Sequence, residues 1–166
     1  MILFALAAAA YAAPLTPAAQ GQIQCYVPDT AKKTCMSLAY YVARDDGGFD
    51  NRSVVLLNKS PVVTLDTTTR VTLKDGAVCG AIRAEDIAAG KVTVGDHLMT
   101  PEEASPVLNS ITQGLSGIIG HEICTVYVPD ASGKLVAQAS MDGKRQPEQD
   151  QPVLWISPSD GYTVAP

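Results

Sequence analysis

CYVPD at residues 25–29 and CTVYVPD at residues 124–130 set one phrase, a strand running into a proline-aspartate turn, twice in a chain of 166 residues. Aligning Tyr26-Val27-Pro28-Asp29 on Tyr127-Val128-Pro129-Asp130 brings Asp46-Gly47 roughly against Asp142-Gly143, and Val54 to Leu57 roughly against Val153 to Ile156. Two related three-strand units are one reading. Chance recurrence of a good strand-ending turn is the other, because proline and aspartate favour reversals wherever they follow a strand.

Around the first copy, QIQCYV (22–27), CMSLAYYVAR (35–44) and RSVVLLN (52–58) read as strands of a meander. Val27-Pro28-Asp29 and Asp45 to Gly48 supply its reversals. PVVTL (61–65) and RVTLKDGAVCGAI (70–82) extend it. Asp75-Gly76 predicts a tight hairpin, since both central positions of a type I′ turn take positive φ. Around the second copy, HEICTVYV (121–128), KLVAQASM (134–141) and PVLWIS (152–157) read as three more strands.

Between the units, RAEDIAAG (83–90) reads as a short helix and KVTVGDHLM (91–99) as strand. Ala104, Val107, Leu108, Ile111, Leu115, Ile118 and Ile119 then recur at three- and four-residue steps, the signature of an amphipathic helix. Thr100, Pro101 and Glu103 form its start and Gly120 its left-handed stop, while Pro106 predicts a break near Ser105. The expected fold class is therefore α+β: an antiparallel, disulfide-stapled sheet with one main helix packed on a face.

Residues 1–12, with an apolar run closed by Ala10-Tyr11-Ala12, read as a signal peptide cut after Ala12, with a buried N-terminal element as the alternative. Residues 13–22 read as a flexible leader and 23–166 as a single globular domain. Export to the periplasm or outside the cell would oxidise Cys25, Cys35, Cys79 and Cys124. Pro28 and Asp29 fold the chain back between Cys25 and Cys35, so these two are expected to pair, which leaves Cys79 for Cys124. The apolar run is too short to span a bilayer.

A formal charge of -5 with no basic run argues against a nucleic-acid partner. No GxSxG elbow, phosphate-binding glycine loop or paired CxxC is present, so no catalytic, cofactor-binding or metal residue is assigned. His121-Glu122 lacks the second histidine of a zinc-protease helix. The expectation is a small exported, non-catalytic binding or structural module with a protein, peptide or glycan partner. One alternative is a hydrolase assembled from His97, His121, Asp96 and Glu122. Another is a protease inhibitor presenting Lys32 and Lys33 on the disulfide-closed loop.

Overall fold

The computed structural model describes residues 11–166. The expected signal peptide lies outside the described residues apart from Tyr11 and Ala12. The first strands are β1 (Ile23–Tyr26), β2 (Thr34–Cys35), β3 (Ser37–Ala43), β4 (Phe49–Lys59), β5 (Val62–Lys74) and β6 (Ala77–Ala81). An insert follows, with α1 (Ala84–Ala88), β7 (Lys91–Val94), β8 (His97–Leu98) and α2 (Pro101–Gly114). The chain ends in β9 (Glu122–Pro129), β10 (Leu135–Met141), β11 (Lys144–Arg145), β12 (Gln151–Ile156) and β13 (Thr163–Val164).

The α+β expectation is overturned. Strands β1, β3, β4, β5, β6, β9, β10 and β12 form a closed antiparallel eight-strand barrel in which each strand pairs with the next along the chain. The last returns to the first, with Ile23 opposite Ile156 and Tyr26 opposite Val153. An even number of alternating strands lets that final pairing be antiparallel too. Closure leaves neither end strand with a free row of backbone donors and acceptors, which removes the edge an open sheet would carry.

Local signals within this frame hold. Asp75 and Gly76 both take positive φ, 51° and 78°, between Lys74 and Ala77, which face each other across the β5–β6 hairpin. The disulfides join Cys25 to Cys35 and Cys79 to Cys124. The second links residues directly opposite each other on β6 and β9. The first lies under a small parallel pair, β2 with β13, among Ile23, Leu38 and Ile156 on the outside of the barrel.

Other expectations change. The two three-strand units do not follow the same path. Val27 leaves β1 with φ 50° and donates its N–H to Pro152, whereas Val128 stays in β9 opposite Val136. Residues 13–22, expected as a flexible leader, pack against the barrel instead. Leu15 is fully buried and Thr16–Gln20 makes a short 3-10 helix, so an aliphatic plug enters a cluster with Tyr41, Phe49, Val71 and Val78. Tyr11 stacks its ring 5.2 Å from Phe49 and accepts the N–H of Ala43.

Helix α2 begins at the expected capping box, with Thr100 and Glu103 bonding each other's backbone N–H groups. It runs unbroken through Pro106, because that residue is on the exposed side and the carbonyl it leaves unpaired faces water. Rather than lying on a sheet face, its C-terminal end stands over one end of the barrel. There Ile111 and Leu115 join Leu65, Ile87, Val92 and Leu108.

Gly80 on β6 shows how tightly the wall is drawn. A Cβ there would sit 2.8 Å from the Arg70 carbonyl oxygen and 2.9 Å from Val71 Cγ1, and the backbone oxygen has little freedom to retreat. Gly80→Ala is expected to destabilise the fold by about 2 kcal/mol, in the range of overpacked cores. Urea unfolding would register this as a lower midpoint at unchanged slope. An unchanged midpoint would mean that β5 and β6 can move apart.

Candidate functional site

Residues two apart on a strand share a face, so the barrel's inner wall can be followed from β4 and β5. From the α2 end inward, β4 contributes Leu57, Val55, Ser53 and Asn51, and β5 contributes Leu65, Thr67, Thr69 and Val71. The plug cluster fills the far end. Between it and α2 lies a partly open cavity of about 650 Å³, with Ile87, Ile111, Gly114 and Leu115 at the helix end. The wall thus passes from aliphatic beside the helices to hydroxyl and amide further in. A recess of about 290 Å³ adjoins it, sharing Tyr26, Ile82, Ile123 and Thr125.

A buried polar cluster forms part of the inner wall. Gln24 on β1 is fully buried, and its Oε1 accepts from Tyr41 at 2.9 Å, Tyr26 at 3.0 Å and Tyr127 at 3.2 Å. The Tyr26 and Tyr127 hydroxyls are 2.8 Å apart, and those of Tyr41 and Tyr127 3.4 Å. All three phenols line the cavity, while Gln24 stands behind them. Its Nε2 is buried with no hydrogen-bond partner.

Burial, reinforced by the neighbouring phenols, pushes Tyr26 and Tyr41 well above the usual phenol range, so both stay neutral. Values that high set them apart from acid-base work near neutrality. Among the described residues, Asp86 is the one charged side chain on the lining, and Arg83 holds its carboxylate at 2.6 and 3.1 Å. The arrangement suits a molecule that is mostly apolar and carries a small uncharged polar group.

The residues singled out from sequence lie elsewhere. His97 sits 3.2 Å from Glu103 at the start of α2, and His121 2.6 Å from Asp142 beside the β10–β11 turn. The two histidines thus have different carboxylate partners. Asp96 is exposed, and Glu122 reaches Lys74 at 3.2 Å. None of these lines the cavity. Lys32 lies 3.9 Å from Asp29, and Lys33 donates to the Asp160 carbonyl at 2.9 Å, so the disulfide-closed loop is also tied to the C-terminal segment.

Sequence reasoning passed over Gln24, Tyr26, Tyr41 and Tyr127 as site residues. The available signal was the repeated phrase itself, since Tyr26 and Tyr127 are its tyrosines and are brought within hydrogen-bond distance of each other. The phrase draws attention to its turn, whereas what the structure brings together is the residue before the turn.

Among the described residues, no helix is long and apolar enough to cross a membrane and no cluster of His, Cys, Asp and Glu could hold a metal. No family model, curated protein or solved structure matches the chain.

Proposed function

We propose that the protein is an exported, non-catalytic carrier that encloses one small apolar molecule in its barrel. The observation that carries this reading is the cavity of about 650 Å³, within the range that holds a drug-sized ligand. A closed eight-strand barrel can either fill its interior with side chains or leave space for one ligand. Here serine and threonine at inward positions such as Ser53, Thr67 and Thr69 leave the middle of the barrel open. The two disulfides fit an oxidising compartment, and we place the protein in the periplasm or outside the cell on that ground.

A neutral naphthylamine dye, fluorescent only when shielded from water, is expected to bind with one site per chain. Gly114→Trp provides the control. Gly114, the exposed last residue of α2, stands at the open side of the cavity with nothing within 4 Å of where a Cβ would be, so an indole there meets no clash and covers the opening. The substitution also removes a glycine from a helix, a change that favours folding. It is expected to weaken dye binding at least about ten-fold, roughly 1.4 kcal/mol, at an unchanged or raised melting temperature. No dye binding by the native chain, or equal binding by the variant, would overturn the reading.

A further inference from the structure

Resting on that carrier reading, we infer that the ligand is an uncharged apolar molecule bearing a hydroxyl, which hydrogen-bonds to the Tyr26, Tyr41 and Tyr127 hydroxyls around Gln24. The hydrogen count at the cluster defines this class. Each phenol has one hydrogen to give. With Gln24 Oε1 turned toward them, those hydrogens are consumed inside the cluster, and what remains for a ligand is lone pairs on the phenol oxygens. In that arrangement Gln24 Nε2 keeps both its hydrogens unpaired in the buried interior, a state folded proteins rarely tolerate.

A half-turn of the amide exchanges its ends and leaves Oε1, a group folded proteins leave unpaired more readily than an N–H, in the unpartnered position. Nε2 then donates to two of the phenols, the two hydroxyl-to-hydroxyl contacts use two phenol hydrogens, and one phenol hydrogen is left for a ligand acceptor. The cluster can thus present either an acceptor or a donor to the cavity. A hydroxyl both donates and accepts, so it meets the cluster in both arrangements. A ketone or ether is served by one of them only.

Charge argues the same way. A carboxylate would need a cation, yet Asp86 is the only charged lining residue among the described ones, and Arg83 already holds it. Phenol hydroxyls stand where a fatty acid would need lysine or arginine. The gradient along β4 from Leu57 to Asn51, and along β5 from Leu65 to Thr69, sets the aliphatic part of such a molecule beside α2 and its hydroxyl inward.

The test is displacement of the naphthylamine dye from the full chain at pH 8 by dodecanol, dodecane and dodecanoate. Dodecanol is expected to displace it at least about ten-fold more effectively than either of the others, roughly 1.4 kcal/mol of preference. In Tyr127→Phe, which keeps the ring and removes one hydroxyl, the dodecanol-to-dodecane ratio is expected to fall toward unity. That ratio is insensitive to small losses of stability, which act on both ligands alike. Equal displacement by dodecanol and dodecane, a preference for dodecanoate, or a ratio unmoved in Tyr127→Phe would overturn the hydroxyl assignment while leaving the carrier standing. Failure of the dye to bind would overturn both.

Discussion

Replacing Cys79 and Cys124 together by alanine is expected to lower the free energy of unfolding by about 4 kcal/mol, the loop-closure value for residues 45 apart. The effect should exceed that of removing Cys25 and Cys35, whose separation of 10 gives about 3 kcal/mol by the same relation. Position adds to the difference. β5 and β6 are joined by a two-residue turn, but β6 and β9 meet only after the chain has passed through α1, β7, β8 and α2. Their ladder runs only from Val78 opposite Thr125 to Ala81 opposite Glu122, and the disulfide crosses it between directly facing residues. Urea unfolding of the two double variants beside the native chain measures both losses. A loss under about 1 kcal/mol at Cys79 and Cys124 would show that the insert holds this seam unaided.

The second large effect is expected at Leu15. It has no exposed surface and packs into the cluster that closes one end of the barrel, so Leu15→Ala loses both the burial of the side chain and the contacts around the void left behind. About 3 kcal/mol is expected, with Leu15→Met below about 1.5 because it conserves volume. Thermal and urea unfolding would measure both substitutions. If Leu15→Ala were neutral, the segment would be the loose leader that its Pro, Gln and Ala content suggests. The composition misled because one leucine among small residues has no periodicity to reveal it.

The strands, the Asp75-Gly76 hairpin and the capping box at Thr100 were legible because each depends on residues within a few positions of one another. The cysteine pairing was legible at Cys25 and Cys35 for the same reason, and by elimination at Cys79 and Cys124. The candidate site was hardly legible. Gln24 and Tyr26 share a face of β1, but a polar residue at alternate positions reads the same whether that face points to solvent or into a barrel. Tyr41 and Tyr127 join them from strands far along the chain.

What the sequence determined by itself is most of the barrel's strand segments and their order, together with the amphipathic face of α2, but not the short strands β2, β11 and β13 or the joining of 61–65 with 70–74 into the single strand β5. What only the tertiary structure decided is that the row of strands closes, because the pairing of β1 with β12 joins residues such as Ile23 and Ile156 from opposite ends of the chain. A period of two is common to open sheets and barrels, so nothing local distinguishes them. Closure makes one face of every barrel strand an interior, and that turns three tyrosines and a glutamine into the lining and backing of a cavity.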